Sequence, residues 1–231
     1  MVPKLSLVSR NYDPSSPMYH MPKFMRPYIE RIVDVIGDGH CWFRAIAESV
    51  GLTEKSLVMV RRALIKELKE HMNKYIKIYA SERRYNYILD GLHPPKNASS
   101  FAPPGKWLTL PDMGHIIASC YIRSVVEKTT LDIGVSETFS PLRGRLSVNP
   151  KNNMVCLGLI SNHFVLLSLK DDCPPPLSST EWSIHKSEEA ATWEDEFLDQ
   201  HDRFRTLMEI ELKERSVSQK KTNTSRQSYY V

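Results

Sequence analysis

No two of the four cysteines, Cys41, Cys120, Cys156 and Cys173, fall in a CxxC spacing. Neither a zinc ribbon nor a dense disulfide framework fits such spacing, so the thiols read as free in a reducing compartment, cytoplasmic or nuclear. No apolar run approaches the roughly 18 residues of a membrane span. The N-terminal stretch 1–13 has no long apolar segment behind Lys4, so no secretory signal is expected either. Charge of one sign is hardly in excess: 31 Lys+Arg against 27 Asp+Glu leaves +4 over 231 residues, weak grounds for a nucleic-acid footprint. There is no internal repeat and no paired-carboxylate site; Glu48 and the carboxylates of 194–199 read as solvated faces. The sequons at Asn97 and Asn223 read as chance in such a chain. What is present is ordinary: 41% hydrophobic and 25% charged residues, enough for one domain with a core and short for two.

Residues 1–27, rich in Pro, Met, Ser and Tyr, read as an N-terminal arm. A domain over 28–212 follows, then a disordered basic tail over 213–231. Tyr28 to Val35 suits a helix or a short strand. Gly37-Asp38-Gly39 marks a turn. Cys41 to Val50 reads as a helix with Gly51 as its cap. Thr53 is the expected N-cap of a long amphipathic helix striped by Leu57, Val60, Leu64, Leu68 and Met72, and Tyr75, Ile76 and Tyr79 extend that stripe. Ser81 caps a further helix closed by Gly91. Segment 92–106, with four prolines, is a loop long enough to suggest function. Another helix opens at Leu110-Pro111-Asp112, with Pro111 in its first turn. Short strands are expected at 124–126 and 137–140. Residues 154–160 and 163–169 form a hairpin of two buried strands about Ser161-Asn162. A final helix is expected over 187–212 from a cap at Ser187. Helices first and a hairpin last give an α+β arrangement, with helices packed on a small sheet.

The sharpest local feature is Cys41, which begins a helix directly after a glycine turn. Backbone N–H groups at a helix start are unpaired and partly positive. They lower a cysteine pKa and, with those of the turn, can receive an oxyanion. A nucleophilic thiol needs a base, and His163, opening a buried strand, is the best placed of the eight histidines. The alternative is a core thiol and a hydrogen-bonded structural histidine. His40 lies beside Cys41 but does not face it well, so its backbone is the better candidate. Arg44 is expected to pair with an acidic neighbour. Cys120 and Cys156 read as core, Cys173 as more exposed, and His115 as a packing or capping residue.

Gly37-Asp38-Gly39-His40-Cys41-Trp42-Phe43-Arg44-Ala45 closely resembles the nucleophile motif of the ovarian tumour (OTU) family of cysteine proteases: Asp-Gly-X-Cys, one variable residue, an aromatic, then Arg-Ala. Asn162-His163-Phe164-Val165 resembles the family's second block, a histidine followed by an aromatic. Further stretches resemble a subgroup carried by plant and fungal Mutator-like transposable elements and their relatives. They are Trp107 with Pro111–Ala118, Glu137–Leu142, and Cys173–Pro176 followed by Trp182. The likeness spans roughly residues 20 to 205. It implies a papain-like, OTU-type α+β fold with a small central β-sheet packed between helices. It implies Cys41 as nucleophile, His163 as general base, Asp38 as the motif aspartate shaping the loop, and the backbone of Gly39, His40 and Cys41 as oxyanion hole. The implied reaction is hydrolysis of the isopeptide or peptide bond at the ubiquitin C-terminus, with ubiquitin or polyubiquitin chains as partner and no metal or organic cofactor. The ubiquitin tail ends in two glycines, so a narrow channel is implied, lined by the turn glycines and the 92–106 loop.

The sequence departs from that pattern twice. Many members carry Asp or Asn two residues after the histidine, where Val165 stands here, so Asn162, Asp38 or a backbone carbonyl is left to orient the imidazole. Trp42 follows the nucleophile where the subgroup more often has a small residue; it reads as a packing aromatic or an obstruction on the leaving-lysine side. Two rival readings stand beside the protease. Val165 motivates a weak or inactive ubiquitin-binding module. Lys213, Arg215, Lys220, Lys221 and Arg226 motivate a nucleic-acid-associated accessory of a transposon-derived protein, against a plain solubilising tail. A monomer without membrane attachment is expected in each case.

Overall fold

The computed structural model describes residues 16–94, 101–107, 112–129, 136–146, 154–160 and 162–227, with side chains to 218. Its centre is the hairpin of β4 (Val155–Ile160) and β5 (His163–Leu169), paired antiparallel from Ile160↔His163 to Cys156↔Leu167. Asn162 turns between them at φ 69°, a left-handed conformation that asparagine tolerates better than most residues. The segment open to either reading, 28–35, is strand β1 (Ile29–Val33), antiparallel to β5. On the other side β2 (Val125–Thr129) runs parallel to β4, and the short β3 (Thr138–Phe139) closes the edge. The result is a mixed five-stranded sheet in the order β1-β5-β4-β2-β3.

The two faces follow the period of two along each strand. Val155, Leu157, Phe164, Leu166 and Val125 join the main core under the helices, whereas Cys156, Val165, Leu167 and Val126 join a second cluster with Met21 and Ile29. Helix α2 (Cys41–Ser49) lies on the first face, with Phe43, Ala45, Ile46 and Ala47 fully buried. Each large apolar side chain so buried contributes about 1.5–3 kcal/mol. Helices α3 (Leu57–Glu70), α4 (Met72–Ile78), α5 (Glu82–Leu92) and α6 (Gly114–Tyr121) complete that layer. The fold is α+β, as the element order predicts.

Several expectations change in detail. The part of the expected arm from residue 16 on is packed. A helical turn α1 (Pro17–His20) and a 3₁₀ turn (Lys23–Tyr28) place Met21 and Met25 in the core, each 1% exposed. Glu211, itself buried, accepts the Phe24 N–H at 3.0 Å, and Phe204 meets Phe24 edge-on at 5.4 Å, so the chain's end holds its beginning. Residues 1–15 lie outside the described residues. Thr53 caps only a 3₁₀ turn (Glu54–Ser56); the long helix starts at Leu57 and breaks at His71. Ser81 does cap α5, accepting the Arg84 N–H at 3.3 Å, but α5 runs through Gly91 to Leu92. The expected single helix over 187–212 is instead a 3₁₀ turn (Glu188–Ala191), a short α8 (Thr192–Asp195) and α9 (Leu198–Gln227), preceded by α7 (Thr180–His185). Helix α9 runs on into the segment expected as a basic tail. The Arg215–Glu211 ion pair at 2.5 Å, one turn apart, helps carry the helix past the core. No helix among the described residues is long and apolar enough to cross a membrane.

Candidate active site

Cys41 is the first residue of α2, delivered there by the Gly37-Asp38-Gly39 turn. The turn is braced from behind by Asp38. Its Oδ1 accepts the His40 N–H at 3.0 Å and the Arg44 Nε–H at 3.2 Å, while Oδ2 receives Arg44 Nη2 at 2.5 Å. Arg44 Nη1 also donates to the Glu54 carbonyl at 3.0 Å, so the expected acidic partner of Arg44 is Asp38 itself. Burial acts upward on the Asp38 carboxyl, but Arg44 and the His40 N–H outweigh it and hold it below the ordinary carboxylate value.

Gly39 sits at φ +79°, and a Cβ there would lie 2.6 Å from Trp107 Nε1. Only glycine allows this turn and this wall to meet. The wall is pinned in return: the Ala102 N–H donates to the Asp38 carbonyl at 2.8 Å, and Trp107 Nε1 donates to the Ala102 carbonyl at 2.8 Å. Residues 95–100 of the expected loop, and Leu110 and Pro111 of the expected helix start, lie outside the described residues.

His163 opens β5 and shares one pocket of about 250 Å³ with Cys41, Gly37, Gly39 and Phe164. Phe101 and Trp107 form the opposite wall and remain partly exposed, at 62% and 40%. Such a volume lies below that of ordinary small-molecule sites and suits a slender chain. His163 Nε2 is 2.7 Å from Asp34 Oδ1. A carboxylate oxygen only accepts, so the proton of that pair sits on Nε2 and Nδ1 is left as the basic nitrogen. Nδ1 faces the turn, 3.5 Å from where a Cβ of Gly37 would stand.

Asp34, which the sequence reading did not single out, is the residue that meets His163. Among the described residues the imidazole is met neither by Asn162, which lines the pocket, nor by Asp38, which is spent on Arg44, nor by a backbone carbonyl. Asp34 follows β1, and the antiparallel pairing Val33↔Leu166 carries it toward the His163 end of β5. Val165 shares a strand side with His163 but is 1% exposed and packs with Met21 and Ile29. Its place serves the core. Of the three N–H groups expected to receive an oxyanion, that of His40 donates to Asp38.

Cys41 is 8% exposed. Burial pushes its thiol up, the N–H groups of Phe164 and Trp42 pull it down, and Asp38 pushes it up again; the net shift is upward. This reverses the lowered value that a helix start predicts. The resting group is a thiol, so His163 would have to take its proton during attack. The Cys41 alkylation rate with iodoacetamide should therefore keep rising above about pH 8.5, the free-cysteine value. A plateau reached by pH 6 would show a standing thiolate instead. Trp42 is a packing aromatic at 2% exposure, edge-on to Phe164 at 5.9 Å, although its edge also reaches the pocket.

The other thiols are remote from this chemistry. Burial lifts Cys120 and Cys156 to about 12 each. Cys173, expected to be exposed, is only 2% so. His115 is buried, with Nε2 3.2 Å from Ser179 Oγ, and burial lowers it to about 4. Among the described residues no group of three or more His, Cys, Asp or Glu side chains could hold a metal ion.

No protein-family model and no curated protein matches the sequence. Solved structures do. The viral OTU domain protease from Farallon virus is 16% identical over 64% of this chain and 88% of its own, with a TM-score of 0.45. The OTU domain of OTUD1 is 18% identical over 64% and 91%, at 0.44. The Hazara virus OTU bound to ubiquitin is 16% identical over 63% and 84%, also at 0.44.

Proposed function

We propose that the chain is an OTU-type cysteine protease that hydrolyses the bond at the ubiquitin C-terminus. One observation carries the reading. The helix-start thiol of the Asp38-Gly39-His40-Cys41 motif and a histidine held by a carboxylate line the same narrow pocket. In the proposed reaction Cys41 Sγ attacks the carbonyl carbon of the last ubiquitin glycine as His163 Nδ1 takes the thiol proton. The carbonyl π electrons move to oxygen, where the N–H groups of Cys41 and Gly39 receive them. The tetrahedral adduct collapses, the amine leaves with the proton from His163, and a thioester remains. Water, deprotonated by His163, then releases the ubiquitin carboxylate and restores the thiol. Asp34 holds the imidazole in the required tautomer throughout.

The subgroup of transposon-associated relatives is part of this proposal and rests on the sequence matches from Trp107 to Trp182. Action in a reducing compartment, argued from the spacing of the four cysteines, and a monomeric state belong to the proposal as well. Asp34 beside His163 supports turnover over the rival ubiquitin-binding module that Val165 motivated. The test is hydrolysis of ubiquitin aminomethylcoumarin. Wild type should release the fluorophore, and Cys41→Ser should release none above background. A folded wild type without turnover would overturn the reading.

A further inference from the structure

Arg61 lies on α3, twenty residues past the nucleophile, and is 0% exposed. Burying a cation costs several kcal/mol unless its charge is matched, and a carboxylate is the usual match. Among the described residues Arg61 has none. Nη1 donates to the carbonyls of Gly91 at 2.9 Å and Leu92 at 3.3 Å. Nη2 lies 3.0 Å from His40 Nδ1 and donates to the Lys106 carbonyl at 3.2 Å. The guanidinium lies over Phe43, 3.5 Å from the ring centroid. Gly91 and Leu92 end α5, so the negative end of that helix stands in for the missing carboxylate. Arginine only donates; His40 Nδ1 therefore accepts, and the His40 proton sits on Nε2.

These partners do not belong to one element. His40 precedes the nucleophile, Lys106 precedes the wall residue Trp107, and Gly91 and Leu92 end the helix before that wall. We propose that Arg61 is a positioning residue whose guanidinium fixes the Phe101–Trp107 wall against the nucleophile turn and so sets the width of the pocket. The claim rests on the Cys41 site described above. Lys106 Nζ also ties the wall to α5 from the surface, donating to the Asp90 carbonyl at 2.6 Å and pairing with its carboxylate at 3.0 Å, an ion pair that salt would screen.

The test uses the full chain with Arg61→Lys, which keeps the charge and loses the planar fork. Trp107 is 40% exposed, whereas Trp42, Trp182 and Trp193 are at most 2%. Acrylamide quenching of tryptophan emission thus reads the wall directly, and Trp107→Phe assigns the signal. Arg61→Lys should raise the quenching constant at least about twofold. It should also lower kcat/KM for ubiquitin aminomethylcoumarin by about 10- to 100-fold, the cost of a small misplacement. A merely structural role would shift the melting temperature and leave native-state quenching and kcat/KM unchanged; that result overturns the proposal. If Arg61→Lys does not fold, His40→Asn and His40→Leu replace it. Asn retains an acceptor for Nη2 and Leu does not, so Leu alone should raise the quenching, and equal behaviour overturns the proposal. If wild type lacks ubiquitin hydrolysis, quenching and the iodoacetamide rate of Cys41 still decide the role of Arg61. That failure then counts against the protease reading alone.

Discussion

His163→Ala should lower ubiquitin hydrolysis by about 10³-fold, the middle of the range for a positioned general base, and Asp34→Ala by about 10- to 100-fold. The two effects differ for a physical reason. In the proposed reaction His163 moves the proton in every step, and the raised Cys41 thiol would not ionise cheaply without it. Asp34 acts only through the imidazole, and its side chain is 65% exposed. Water can therefore take over part of its hydrogen bond, and its loss should cost less than the ~10⁴-fold known for a buried triad aspartate. The loss should fall on kcat, with KM within about twofold of wild type, because Asp34 does not line the pocket. Asp34→Asn still offers a carbonyl oxygen at the same reach and should fall between wild type and Asp34→Ala. Steady-state kinetics on the three variants and Asn162→Ala decides the assignment. A larger loss in Asn162→Ala than in Asp34→Ala would return the orienting role to Asn162.

The second large effect lies at Gly39. An alanine there meets two penalties: about 1–2 kcal/mol for a left-handed backbone and about 1–3 kcal/mol for overpacking, since its Cβ would lie 2.6 Å from Trp107 Nε1 and 3.0 Å from the Ala102 carbonyl. Gly39→Ala should thus destabilise by about 2–5 kcal/mol, or survive by pushing the wall aside and losing turnover. Gly51 separates the two causes. It has the same φ of +79°, but nothing lies within 4 Å of its added Cβ. Gly51→Ala should cost only the backbone part, about 1–2 kcal/mol, and leave kcat/KM unchanged. Urea unfolding of both variants measures the difference, and equal losses would show that the Trp107 contact is not a constraint.

What could be read from the sequence was local. The helix start at Cys41, the glycine turn and the β4–β5 hairpin are each set by a few neighbouring residues, and the structure has them where the pattern puts them. What could not be read depends on pairing across the chain. Asp34 and His163 are 129 positions apart, and nothing near Asp34 announces that β1 will pair with β5. Arg61 looks like one more charge on an amphipathic helix until α5 and the wall close over it. The upward shift of Cys41 was missed because the helix-start argument counts N–H groups and not the burial that comes with them. Composition alone did not show that the helix anchored by Phe204 and Glu211 would run on into the polar segment from 213.

The most direct measurement is reaction of the full chain with ubiquitin carrying a C-terminal electrophile, followed by peptide mass spectrometry. Wild type should gain one ubiquitin, on Cys41; Cys41→Ala should gain none, and His163→Ala should react more slowly. A folded wild type that stays unmodified, or an adduct that persists in Cys41→Ala on Cys120, Cys156 or Cys173, would contradict the account.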